Sequence, residues 1–366
     1  MYECVNPQKK FKSYDELVDI LIARNLDVGE RDQAIFYLGK YGYHRLAGYR
    51  YPFREFLPMS EQDGNPVQRR SDMHVSGSRL SSVIEFHDFD VRLRNVLSDG
   101  LESFEISLRS AIAYTLASRD PLAHLKVDCL DAGRCATEIK NGPGAGETAH
   151  DYFCSGVKRK TDKLKKEGED FVVHHSQKYE SELPVWAVVE YLDFGELENL
   201  LRYMKDEDQR VVGQRFGVRH PNPFRVVVKA MRELRNMVAH GARTYNKPLK
   251  TRIKLSDKDL LVSDFVVLAL GEQPRPPKNR VYTHAVFLAH MLTSADPDHP
   301  WPRRFVELVS TYPDHDPQIP DRYRQPIDST MGFSASWKPA WLGITRRVPA
   351  APPRRGPDTG YTQQSP

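Results

Sequence analysis

Residues 82–118 read SVIEFHDFDVRLRNVLSDGLESFEISLRSAIAYTLAS, and this stretch decides the fold class. Val83, Phe86, Phe89, Leu93, Leu97, Leu101, Phe104, Leu108, Ile112 and Thr115 recur at steps of three or four, the period of one buried helical stripe. The spacing predicts one long helix, or two joined near Gly100. On it Glu105 and Arg109 stand at the i,i+4 spacing that makes side chains neighbours. They form either a surface ion pair or part of a site.

Helical patterning continues on both sides. Ser13-Tyr14-Asp15-Glu16 is a capping box that opens a helix through Leu17, Ile20 and Leu21. Gln33 to Lys40 gives a second. Tyr43 to Phe53 interleaves aromatic and basic residues, which fill a core or stack bases. Ser60 to Ser78, with Gly64, Pro66 and Gly77, is expected to be a loop or linker. So is 128–151, where four glycines and Pro143 crowd together. Pro184 opens a further helix through Trp186, Val189, Leu192, Leu197, Leu200 and Leu201, with a break near Phe194-Gly195. Leu255 to Leu270 fits a strand or a short helix, Val281 to Thr293 a helix, and Trp301 to Tyr312 another. From Ile344, Arg346, Arg347, Arg354 and Arg355 mix with five prolines, the composition of a disordered tail. The expected architecture is therefore mostly α: a helical region over 1–78, a helical bundle over 79–312 with the 128–151 loop inserted, an irregular extension over 313–343, and a disordered tail.

A net charge of +4 on 366 residues gives only local attraction for nucleic acid. Lys158, Arg159, Lys160 and Lys163 make the obvious basic patch, either an RNA contact or a solvated helix face. The four cysteines form no Cys-x-x-Cys pair, and a zinc set of Cys129, Cys135, His150 and Cys154 has irregular spacing, so no metal or other cofactor is expected. The opening Met-Tyr-Glu-Cys-Val-Asn-Pro does not read as a basic and then apolar leader, so secretion is not expected, and no apolar run approaches about 20 residues. A cytoplasmic protein without a membrane span is the expectation.

The chemistry gathers at Arg235-Asn236-Met237-Val238-Ala239-His240-Gly241. Histidine titrates near neutral pH and arginine is a permanent forked cation, so the pair can move a proton and hold a phosphate. Arg69 with His74, Arg119 with His124 and Arg215 with His220 share the spacing, but glycines, prolines and polar neighbours place those in loops. Upstream of Arg235, Phe224, Val228, Met231, Leu234 and Val238 form a helical stripe that starts at Pro221 and Pro223 and stops at Gly241. At about 100° per residue, Asn236 and His240 lie roughly 40° apart, whereas Arg235 and His240 lie roughly 140° apart. Arg232, Asn236 and His240 form the straighter row, and a second chain would help Arg235 reach His240.

Together, Lys9 to Leu17, Tyr43 to Phe53, Pro184 to Glu190 with Phe194-Gly195, Leu234 to Gly241 with Arg243 and Asn246, and Met331 to Phe333 before Trp337 resemble landmarks of the Abi-like (abortive infection) proteins, a branch of the helical HEPN superfamily. The resemblance implies a HEPN-like bundle and a metal-independent ribonuclease in which Arg235 and His240 are the catalytic pair and Asn236 assists. It also brings Glu105 and Arg109 toward the site as the acidic and basic pair of an earlier helix. A homodimer, with RNA as substrate and an antitoxin protein or small RNA as restraint, is implied as well. The role implied is phage defence or a toxin of a toxin-antitoxin system. The alternative keeps the fold and drops the catalysis, leaving an RNA- or protein-binding module.

Overall fold

The computed structural model describes residues 10–58, 70–179, 182–256, 258–261, 263–271, 279–313 and 318–345. Cys4, Lys9, Arg69 and the arginine-proline tail from Arg346 lie outside them. The described residues are mostly helical, with one two-stranded sheet. Among them no helix is long and apolar enough to cross a membrane.

The chain opens with α1 (Tyr14–Ala23), α2 (Arg31–Tyr41) and α3 (Tyr43–Arg50). The capping box is present: the Ser13 hydroxyl accepts from the Glu16 amide and Glu16 accepts from the Ser13 amide. The aromatic-basic stretch divides by face. Leu46, Tyr49, Arg50 and Phe53 enter the core, while His44 and Arg45 stay exposed. The loop expected over 60–78 is corrected in its second half, where β2 (Arg70–His74) pairs antiparallel with β1 (Arg54–Phe56). Its polar sequence hid the strand. Contacts distant in sequence hold it: the Arg70 guanidinium donates to the Pro52 and Arg54 carbonyls and lies over the Phe56 ring.

The long pattern forms a single helix, α4 (Leu80–Ala117), 38 residues and about 57 Å long. Gly100 is a close approach rather than a break. The Trp301 indole sits against it and donates to the Val96 carbonyl at 2.6 Å. A Cβ at position 100 would fall inside that indole. Gly100→Ala should therefore destabilise by about 1–3 kcal/mol through overpacking, against the roughly 1 kcal/mol that helix propensity alone would add. A urea melt showing the variant more stable than wild type would refute this packing argument.

After α4 come α5 (Ala132–Cys135), α6 (Ala149–Glu167), α7 (Asp170–Tyr179), α8 (Val185–Tyr191), α9 (Phe194–Tyr203), α10 (Asp206–Arg215) and α11 (Pro221–Ala239). The exposed loop expected over 128–151 is corrected. Leu130 and Cys135 are buried, Asp131 caps α5 by accepting from the Arg134 amide at 2.8 Å, and Glu138 bridges to Thr148. Only the stretch around Gly142–Gly146 keeps loop character. The break between α8 and α9 comes from Asp193, which forms a capping box with Glu196 and starts a new helix.

The rest is α12 (Asp264–Leu270), α13 (Val281–Ala295), α14 (Trp301–Val309), α15 (Ile327–Met331) and α16 (Trp337–Thr345). The irregular extension expected over 313–343 is corrected by α15 and α16. Phe333 and Trp341 are buried, and Trp341 meets Phe265, Phe305 and Tyr282. Aromatic burial fixes these short helices where periodicity gave no signal. Around α4 pack α3, α8, α9, α10, α11, α13 and α14, so this helix is the axis to which the other parts are referred.

Candidate active site

The apolar stripe of α11 buries Phe224, Val227, Val228, Met231 and Leu234 against the core. Pro221 occupies its first turn. At its other end the Gly241 amide donates to the Val238 carbonyl and the Ala242 amide to the Met237 carbonyl, with Gly241 at φ 62°. This is a Schellman end. His240 is its cap residue and exposed, and Arg45 donates to the Gly241 carbonyl at 2.7 Å.

Glu105 and Arg109 are more than a surface pair. Glu105 is 5% exposed, and one carboxylate oxygen accepts from Arg109 Nη2 at 2.6 Å. The other faces Arg235 Nε at 3.4 Å. Arg109 also donates to the Val189 and Leu192 carbonyls at 2.9 and 3.0 Å, so its charge is committed to the C-terminal end of α8. Arg235 keeps 40% of its side chain exposed. Glu105 thus orients Arg235 while leaving the guanidinium open to an anion.

Arg235 and His240 open into different cavities. One of about 400 Å³ is lined by Glu102, Glu105, Ile106, Arg109, Arg235 and Ala239. Another, about 510 Å³, is bordered by Arg232, Asn236 and His240. The angular separation read from the sequence is realised: the helix end divides the two groups. Asn236 lies on the His240 side, and Arg235 Nη1 only reaches its Oδ1 at 3.4 Å.

The remaining sequence candidates are dispersed. Arg232 pairs with Glu198 beside the His240 cavity. Lys160 pairs with Glu196, Lys163 lies 3.7 Å from Glu167, Arg159 stacks over Tyr152, and Lys158 is exposed. None of these α6 residues lines either cavity. The other Arg/His pairs fall away: His74 and His124 are buried, Arg119 pairs with Glu207 and Asp208, and Arg215 ends α10 while His220 precedes α11. Cys154 Sγ is 3.5 Å from His150 Nε2. Among the described residues no group of three or more His, Cys, Asp or Glu could hold a metal ion.

Two contributions escaped the sequence reading. Lys247 and Lys250 border the His240 cavity, and buried Asp90 accepts from the Thr244 and Tyr245 amides just past the motif. Asp90 and Arg94 repeat, on the same helix, the i,i+4 acid-base spacing of Glu105 and Arg109. That repetition was the available signal.

The family model described as Abi-like protein matches residues 36–246, more than half of the chain. The chain belongs to the Abi-like family. The matched region of this Abi-like protein contains α4, α11, Glu105, Arg109, Arg235, Asn236 and His240. No curated protein and no solved structure matches the chain.

Burial gives this Abi-like protein a pH liability. His74, His124 and His284 are each pushed down to about 4 from 6.5 by loss of solvent. Below pH 6.5 the unfolded chain binds protons that the folded one refuses, so stability is lost as pH falls from about 6.5 toward 4. The thermal midpoint should drop by at least roughly 5 °C between pH 7 and 5. An unchanged midpoint would contradict neutral burial of these rings.

Proposed function

We propose that this Abi-like protein is a metal-independent endoribonuclease of the HEPN type that acts in abortive infection or as the toxin of a toxin-antitoxin pair. The observation that carries this reading is the part-exposed Arg235 guanidinium, oriented by buried Glu105 and standing five residues before exposed His240 at the end of α11. RNA supplies its own nucleophile. His240 takes the proton as the 2′-oxygen attacks phosphorus, Arg235 stabilises the charge on the phosphorane, and the bond to the 5′-oxygen breaks as that oxygen regains a proton. Asn236 orients the imidazole or the phosphate. The products are a 2′,3′-cyclic phosphate and a 5′-hydroxyl end.

A homodimer completes the site in this reading, because one chain offers its cation and its proton-transfer group in separate openings. A second copy across the end of α11 would set its His240 beside this Arg235. The exposed Lys158, Arg159 and Lys163 would attract the strand outside the cut. An antitoxin protein or small RNA would restrain the enzyme by covering the same cleft.

Mixing two inactive variants tests the composite site. Arg235→Ala and His240→Ala protomers, unfolded and refolded together, should regain about a quarter of wild-type cleavage, since half of random dimers are mixed and each holds one intact site. Wild-type cleavage with no recovery on mixing would place the whole site within one chain. Absence of cleavage by the wild type on mixed RNAs would remove the ribonuclease reading.

A further inference from the structure

We infer that the segment Asn246–Lys250 is a rigid phosphate-holding arm of the His240 cavity, and that this cavity lodges one unpaired nucleotide of single-stranded RNA. The inference rests on RNA being the ligand proposed above, and it goes on to name the form of RNA and the residues that select it.

Two anchors fix the arm. Upstream, Asp90 accepts from the Thr244 and Tyr245 amides at 3.2 and 2.7 Å. Downstream, the Leu249 amide donates to the Asn279 carbonyl at 2.8 Å, and Asn279 Nδ2 donates to the Thr251 carbonyl at 3.1 Å. Between them Asn246 takes a left-handed turn at φ 48°, a conformation asparagine tolerates better than other side chains. The turn and the anchors present Lys247 and Lys250 at the rim of the cavity that His240 borders.

The charges around this cavity are unevenly committed. Arg232 is held by Glu198, and the Glu233 carboxylate accepts from the Thr251 amide at 3.0 Å. His284 is buried, and burial pushes it down to about 4, so it stays neutral at pH 7. Among the described residues neither Lys247 nor Lys250 has an ion-pair partner. Two uncommitted cations on a fixed arm suit two phosphates of a strand. The remaining walls include Leu234, Met237, Pro248 and Leu249, apolar surface suited to the flat face of a base. A base reaches such a wall only when splayed from its neighbours, which a duplex does not allow.

Binding can be read apart from cleavage with a fluorescent oligoribonucleotide carrying 2′-O-methyl groups, which removes the nucleophile. Lys247→Gln/Lys250→Gln should weaken its binding about tenfold and reduce the slope of log affinity against log salt by about 1.4. A control double variant of equal charge change, Lys140→Gln/Lys338→Gln, should bind as wild type. Duplex RNA of the same length should bind weakly and without regard to Lys247 and Lys250. Wild-type affinity and slope in the double variant, or an equal loss for duplex, would overturn the arm, even if the protein cleaves RNA. Lysine-dependent binding without cleavage would leave the arm standing and remove the ribonuclease chemistry. No RNA binding by the wild type would overturn both.

Discussion

Alanine at His240 is expected to slow RNA cleavage by about a thousandfold, because a positioned acid or base contributes roughly 10²–10⁴ to such reactions. Arg235→Ala should cost about a hundredfold to a thousandfold, since one preorganised partner of the developing charge is worth about 3–4 kcal/mol. Both side chains are partly or fully solvent-facing at the end of α11, so neither change should unfold the protein. Glu105→Gln separates positioning from chemistry. It removes the charge that orients Arg235 but leaves Arg109 on the Val189 and Leu192 carbonyls, and a loss of about tenfold to a hundredfold is expected. Initial rates on a labelled RNA, resolved on a denaturing gel, check all three. Cleavage at wild-type rate by His240→Ala would end its assignment to proton transfer.

The second large effect belongs to Asp90. Its fully buried carboxylate accepts from the Tyr49 hydroxyl at 2.5 Å, Arg94 Nη1 at 2.6 Å, the Thr244 hydroxyl and the Thr244 and Tyr245 amides. Burial and this carboxylate also push the Tyr49 hydroxyl well above its ordinary pKa, so it remains a donor. Asp90→Ala leaves Arg94 and two backbone amides without their acceptor in the interior. The expected cost is about 3–5 kcal/mol, the penalty for breaking a buried, hydrogen-bonded ion pair from one side. Chemical denaturation would reveal it. A change below about 1 kcal/mol would mean that water replaces the carboxylate and that the segment after His240 is held by other contacts.

Much of this was legible in the residues because it is local. The stripe of α4, the proline start and glycine stop of α11, and the divergence of Arg235 from His240 all follow from helical period and end chemistry. Glu105 and Arg109 were visible as a pair, but their burial was not, since the α8 carbonyls that receive Arg109 lie about 80 residues away in sequence. The β1/β2 hairpin, α5, α15 and α16 escaped for the same reason: each is short and held by partners distant along the chain. Nothing in the local pattern singles out Lys247 and Lys250; the turn at Asn246 brings them to the rim of a cavity.

The continuity of α4 has a consequence for how this chain can vary in length. Asp90 and Glu105 sit on one unbroken rod, about 22 Å apart along its axis, and each grips a different side of the segment that carries Arg235 and His240. A single residue inserted between them would turn one grip by about 100° relative to the other. The stretch from 90 to 105 therefore acts as a gauge that admits no insertion or deletion, whereas the Gly142–Gly146 tip, closed off by the Glu138–Thr148 bridge, holds no part of either grip and tolerates a change of length better.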